Sequence, residues 1–352
     1  MVYNSIHPGK RWLDTAGKPI QAHGFTVFYD EAAKEYKWFG EDKGNSRFGG
    51  TVWHWGVRLY ISKDLYNWEN RGHIISPKPD DLSSPLHPTY CMDRPHILYC
   101  KRTGKYVAWL KIMGGLVSQF MMILTADRLE GPYTTVREVY HPLDMDSGDF
   151  TLHADEETGK AYIFFERPHF QLICATLTDD YTACTGEYSV HYDGLKPPYT
   201  REAPTFFTHE GRKYLITSGT TGYFPNQSRV CVFDDYHGEY TDLGDPFVGD
   251  TDHTSFSSQV SCVLSLPKSG KLIACADRWM PFPWVGMLAR HTQRRFEKIF
   301  ADYQPDLSLQ TAGVSGKKNR YFETTRLSRY VWLPIEWDGE KPVIRWVDEW
   351  KV

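Results

Sequence analysis

No Cys-x-x-Cys pair occurs among the seven cysteines of this 352-residue chain, and its 14 histidines form no His-x-x-x-His or His-Glu-x-x-His set. Zinc sites of those kinds are therefore excluded, and buried reduced thiols are the expectation. No glycine-rich phosphate loop or dinucleotide fingerprint is present, so nothing calls for a nucleotide. The expected cofactor and metal complement is none; a structural channel ion such as calcium, near His253, is the one option the sequence leaves open. The formal charge is −4 and no run of Lys or Arg appears, which argues against nucleic acid or an anionic membrane as partner. No apolar run is long enough to span a bilayer, and the opening "MVYNSIHPGKRW" has no apolar core of signal-peptide type. With an odd number of thiols, that reads as a cytoplasmic protein.

Helical periodicity is scarce as well. What replaces it is an excess of rings: aromatic residues reach 15%, with 12 Trp and 22 Tyr, a composition suited to β packing and to stacking against sugar faces. An apolar strand, a polar turn often carrying Gly-Lys or Gly-Arg, and a second aromatic strand recur in order. The copies are "TVFYDEAAKEYKWFG", "HILYCKRTGKYVAWL", "FTLHADEETGKAYIFF", "TFFTHEGRKYLITS" and "CVLSLPKSGKLIACA". Each is a hairpin with a short turn, and several are followed by a third strand such as "RLYISKDLYNW". A repeat of about 55–70 residues built from antiparallel strands predicts propeller blades. The expected fold is all-β, a five-bladed β-propeller forming a single catalytic domain over residues 1–352 with no accessory carbohydrate-binding module. Two unrelated β-sandwiches are the competing architecture.

In a propeller the starts of the inner strands converge on one axis. Those places hold Gln21 and His23, Asp93 and Arg94, Asp149, Glu202, and Gln259. Alone, Glu202 reads as a carboxylate paired with Arg201 or Arg212, Asp93 as a partner of Arg94, and Asp149 as a turn residue. Together they read as a site. Carboxylates converging among aromatic rings suit glycosidic bond cleavage, which needs one carboxyl kept protonated by burial or by a like charge. Glu202, ahead of Ala-Pro on an apolar strand, is the candidate acid.

The segments "LDTAGKPIQAHGFTVFY", "RPHILYCKRTGKYVAWL", "SGDFTL", "REAPTFF", "SGTTGYFPN", "SSQVS" and "ADRWMP" resemble, in order, glycoside hydrolase family 43 enzymes of the exo-β-1,3-galactanase type, from Trp12 to Trp350. The resemblance implies a five-bladed propeller that inverts the anomeric centre. It implies Glu202 as general acid and Asp149 as the aspartate that tunes and orients it. "QAHG" shares the galactanase-type lack of a first-blade aspartate base, which implicates Gln259 in positioning or activating water. It further implies sugar contacts from Asp93, Glu41, Gln21, His23, Thr221, Tyr223, Asn226 and Arg278. An Asp277–Arg278 pair with a packed Trp279 is the structural alternative for the last of these.

The chain also departs from that pattern. Asp93 stands where the group has Glu, Tyr223 where it often has Trp, and "RFGGTVWHWG" is an aromatic insert at the rim. The expected activity is an inverting exo-glycosidase releasing galactose from β-1,3-galactan or related β-galactosides. The alternatives are an α-L-arabinofuranosidase or β-xylosidase on the same fold, a phosphorylase, or a non-catalytic sugar-binding propeller. The expected partner is an oligosaccharide or polysaccharide; the sequence carries no signal of oligomeric state.

Overall fold

The computed structural model describes residues 2–113, 119–302, 304, 320–321 and 325–352. Its strands form five sheets, four of them antiparallel and built in chain order from the inside outward. Blade one comprises β1 (His23–Asp30), β2 (Glu35–Glu41), β3 (Val57–Ser62) and β4 (Glu69–Ile75). Blade two is β5 (Cys91–Cys100), β6 (Lys105–Met113), β7 (Gln119–Ala126) and β8 (Thr134–Tyr140). Blade three is β9 (Phe150–Ala154), β10 (Ala161–Arg167), β11 (Gln171–Leu177) and β12 (Cys184–His191). Blade four is β13 (Arg201–His209), β14 (Arg212–Gly219), β15 (Arg229–Phe233) and β16 (Thr241–Gly244). Blade five adds a parallel edge strand, β17 (Phe247–Val248), beside β21 (Lys341–Arg345); its other members are β18 (Gln259–Ser265), β19 (Leu272–Arg278) and β20 (Arg329–Asp338).

The five first strands, β1, β5, β9, β13 and β18, touch in sequence, and β18 returns to β1. The ring is therefore closed, and the fold is the five-bladed β-propeller that the hairpin repeat predicts. Two β-sandwiches are ruled out.

Why the strands read as continuous apolar runs follows from period-two alternation between two buried faces. On β6, Val107 and Trp109 pack against blade three, while Ala108, Leu110 and Ile112 pack against blade one. Five apolar clusters result, one at each junction between neighbouring blades. The outermost strands are different. β8 is almost wholly exposed and β12 largely so, which is why they carry little apolar pattern.

Where blade five meets blade one, the ring is sealed by rings. Trp38 lies against Trp68, Tyr330 and Trp332 at 5.1, 4.6 and 4.8 Å between centroids. Ile6 and Trp350 also pair, with N···O distances of 2.9 and 3.1 Å, tying the first residues to the last blade.

One helix, α1 (Val285–Ile299), interrupts blade five between β19 and β20. The strand reading missed it. Its buried residues Val285, Ala289 and Thr292 lie at helical spacing, so the signal was present but outnumbered. No helix among the described residues is long and apolar enough to cross a membrane. His253 is exposed, with its Nδ1 3.8 Å from Asp245 Oδ2, so it lies at the surface rather than at the channel where an ion was considered.

Trp38→Ala is expected to lower unfolding free energy by about 3–5 kcal/mol in denaturant titration, because the sealing ring has no slack to refill the void. A loss below about 1 kcal/mol would show that the blade-five junction does not depend on it.

Candidate active site

Four inner strands carry the same irregularity near their start. Register slips between His23 and Thr26, Asp93 and His96, Glu202 and Thr205, and Val260 and Cys262. A bulge of this kind bends the strand and re-aims a side chain. In three blades a left-handed residue marks it: Gly24 (φ 53°), Arg94 (φ 48°) and Ala203 (φ 50°). Proline follows in two of them, tolerated because the bulge leaves a residue out of the ladder. This is the physical content of "DRP" and "EAP". At Gly24 no side chain fits, since a Cβ there would lie 2.5 Å from Glu41 Oε1.

The bulges turn their side chains into a cavity of about 370 Å³ at the axis, lined by Glu41, Asp93, Asp149, Glu202, Gln259 and Tyr223 among the expected residues. Trp53, Lys111, Glu166, His169, Trp279 and Phe296 also line it. Trp53 comes from the aromatic insert and Phe296 from α1. The Tyr223 ring lies 5.8 Å from Trp53 and 5.2 Å from Trp279, giving one aromatic wall.

Pairing partners differ from the local guesses. Arg201 and Glu202 are consecutive in a strand and so point to opposite faces. Arg201 donates to Thr217 Oγ1 at 2.9 Å and to the Thr217 carbonyl at 2.7 Å. Arg212 pairs with Asp234 and Glu340. Glu202 thus has no arginine partner of its own. Asp93 turns from Arg94 to Trp53 Nε1 (2.7 Å) and Lys43 Nζ (3.2 Å). Arg94 crosses to Asp149 (Nε–Oδ2 2.9 Å), which Lys111 Nζ also reaches at 2.9 Å.

Gln259 is held from every side. Its Oε1 accepts from Arg94 Nη2 at 2.5 Å and Trp279 Nε1 at 3.0 Å. Its Nε2 donates to Ser218 Oγ at 2.8 Å and faces Glu202 Oε1 at 3.5 Å. Two donors on the oxygen fix which way the amide points.

Five other expected contacts stand outside the cavity lining. His23 is fully buried, its Nδ1 2.8 Å from Asp277 Oδ1 and its Nε2 3.3 Å from Gln21 Oε1. Gln21 Nε2 donates to the Arg326 carbonyl at 3.1 Å. Asn226 clasps the Gly219 amide and carbonyl and Thr221 Oγ1, each at 2.7 Å, while Thr221 Oγ1 donates to the Phe224 carbonyl. Arg278 donates to the Phe256 carbonyl and lies over the Trp346 ring; Asp277 binds His23, so the expected Asp277–Arg278 pair does not form. These side chains shape the walls, and the loop carrying Tyr223, through bonds within the protein.

Charges explain the protonation pattern. Glu41, Asp93, Asp149, Glu166 and Glu202 line the cavity; Lys43, Arg94 and Lys111 are the permanent cations bonded among them. Among the described residues, charge balances when protons sit on two of these carboxyls, or on one of them and His169, whose value Glu166 raises. Burial raises Glu202 well above the usual carboxylate range, and the charges of Glu166 and Asp149 raise it further. Burial likewise pushes Glu41 up to about 8, despite Lys43 Nζ at 2.5 Å, and the negative charge of Asp93 adds to it. Burial also acts to raise Asp149 and Asp93. For Asp149, Arg94 and Lys111 outweigh it; for Asp93, Lys43 and Lys111 do, so both lie below their ordinary values.

A protonated acid beside ionised carboxylates, under aromatic walls, is fitted to donate a proton to a leaving oxygen. The sequence profile of glycosyl hydrolases family 43 matches residues 43–259. The chain belongs to family 43. The members of that family are glycoside hydrolases.

Solved family 43 structures resemble it over nearly its whole length. A β-1,3-galactosidase superposes at a TM-score of 0.78 with 27% identity, covering 99% of this chain and 64% of its own, so this chain spans under two thirds of that relative. A second, solved with galactodeoxynojirimycin, gives 0.77 with 28% identity, over 99% and 100%. An exo-β-1,3-galactanase from Phanerochaete chrysosporium, at 24% identity and a TM-score of 0.77 over 99% of this chain and 68% of its own, shares the fold. No curated protein sequence matches the chain.

The proton on Glu41 predicts a pH-dependent stability. A carboxyl at about 8 when folded and about 4.5 when unfolded contributes stability that is full below 4.5 and lost as pH rises through 8. Melting temperature measured from pH 5 to 9 should fall more steeply for the native chain than for Glu41→Gln. Parallel curves would contradict a proton held there.

Proposed function

We propose that this family 43 enzyme is an inverting exo-glycosidase that releases galactose from β-1,3-galactan or related β-galactosides, with Glu202 as the general acid. The observation that carries the acid assignment is the state of Glu202. It is enclosed, lacks an arginine partner, opens on the cavity and sits among ionised carboxylates. A carboxyl so placed keeps its proton until a glycosidic oxygen arrives to take it. The galactose assignment draws on the likeness to β-1,3-galactosidases, one of them solved with galactodeoxynojirimycin. A cavity of about 370 Å³ has room for a terminal sugar.

Asp149 serves the acid by fixing Arg94 and Lys111, the two cations nearest it. Gln259 fits positioning better than proton acceptance. Two donors already occupy its oxygen, and its Nε2 stands 3.5 Å from Glu202. An inverting acid and its water-holding partner are separated by about 6.5–9.5 Å. Gln259 therefore orients Glu202 and the sugar, and water enters on the face away from both. Asp93 and Glu41, with Tyr223 and Trp53, offer acceptors and stacking surface for the terminal sugar.

Hydrolysis of β-1,3-galactobiose followed by proton NMR should show α-galactose as the first product. Glu202→Gln should lower kcat on this substrate by about 10²–10⁴-fold. β-Galactose as first product would contradict inversion. Turnover of aryl arabinofuranosides or xylosides, with none on galactosides, would overturn the sugar. No turnover on any glycoside would leave a binding propeller.

A further inference from the structure

Asp149 is a poor source of the negative field that Glu202 needs. Its Oδ1 receives Lys111 at 2.9 Å and its Oδ2 receives Arg94 at 2.9 Å. Two cations on one carboxylate leave that cluster net positive, which favours ionising Glu202 rather than protecting its proton. Another carboxylate has no such clamp. Glu166, at the end of β10, is 2% exposed, and one of its oxygens lies within 4.8 Å of a Glu202 oxygen and of a His169 ring nitrogen.

We infer that Glu166, not Asp149, is the carboxylate that keeps Glu202 in its acid form, and that it acts as a positioning residue steadied by His169. The inference rests on Glu202 being the general acid.

The local backbone is shaped for this approach. Glu166 Oε1 accepts from the His169 backbone N–H at 2.8 Å and stands 3.1 Å from His169 Nδ1. Those bonds close the turn after β10 and hold the carboxyl over the cavity. The other oxygen, Oε2, presses on Gly148, where a Cβ would lie only 2.3 Å away. Glycine at 148 thus leaves the room that the carboxyl occupies. The "SGD" motif contributes its glycine to Glu166 as well as its aspartate to the cation pair.

Among the described residues, the charged groups facing Glu202 fit the assignment. Arg94 on β5 and Lys111 on β6 favour its ionised form; Asp149 before β9 and Glu166 on β10 oppose it, Glu166 more strongly. Gln259 on β18 is neutral, and Arg201 lies on the other face of β13. His169 alone can change sign. Burial opposes its proton, but the hydrogen bond and charge of Glu166 outweigh that and raise it above its ordinary value. Once pH passes that point the imidazole is neutral and Glu166 acts on Glu202 unopposed.

Glu166→Gln keeps an oxygen for the two His169 contacts and removes only the charge. The test compares pH profiles of kcat/KM on β-1,3-galactobiose with kcat on 2,4-dinitrophenyl β-galactoside, whose leaving group needs no proton. In Glu166→Gln the alkaline limb should move to lower pH, with about tenfold lower activity on the disaccharide above that limb and little change on the aryl substrate. Glu166→Asp should restore the limb. Gly148→Ala, which displaces the carboxyl without altering any charge, should move it in the same direction as Glu166→Gln. An unmoved limb, or equal losses on both substrates, overturns the role of Glu166. Glu202→Gln serves as the independent control: it must abolish the limb and lose far more activity on the disaccharide than on the aryl substrate. If it does not, the acid assignment fails whatever Glu166 does.

Discussion

Among the described residues, five carboxyls enclosed with three permanent cations are the constraint on which the site depends. In water such an imbalance is trivial, but inside a closed ring of sheets it must be met by protons. The bonding decides which carboxyls ionise. Asp149 takes Arg94 and Lys111, and Asp93 takes Lys43 and Trp53. Glu202 receives no cation of its own, and Glu41 must share one. The proposed acid is therefore chosen by exclusion: it is the carboxyl the cations leave alone. This inverts the simplest reading of Glu202 as the partner of a neighbouring arginine, because strand alternation sends Arg201 to the far face.

Much of the fold was legible because propeller blades are local. Each hairpin closes over a few residues, and turns such as "RTGK" and "HEGR" mark the reversal directly. Continuous apolar runs are also what a sheet buried on both faces requires. Less could be read from the fourth strands, whose exposed residues in β8 and β12 carry little pattern. Helix α1 sits in an insertion where no hairpin signal guided the eye, although its heptad-like spacing of Val285, Ala289 and Thr292 was there to find.

The site was legible on its inner rank only. Strand mouths pointed to Asp93, Asp149, Glu202 and Gln259, which the cavity brings together. The residues paired across each hairpin were overlooked: Asp93 faces Lys111, and Asp149 accepts from the Glu166 amide at 2.8 Å. Directly opposed residues in an antiparallel pair share a face, so counting back from each hairpin turn would have found both. Gln21, His23, Thr221, Asn226 and Arg278 illustrate the reverse. They belong to segments that resemble the family's, yet their polar atoms are satisfied within the protein. Only partners far along the chain, such as Asp277 for His23, reveal that.

The most direct check is the protonation state itself. Carbon-13 NMR titration of the glutamate side-chain carboxyls, with Glu202 assigned by comparison with Glu202→Gln, reads each proton without reference to activity. The account predicts that the Glu202 carboxyl shows the protonated chemical shift at neutral pH. An ionised Glu202 at that pH, titrating with the exposed glutamates near their ordinary value, would contradict it.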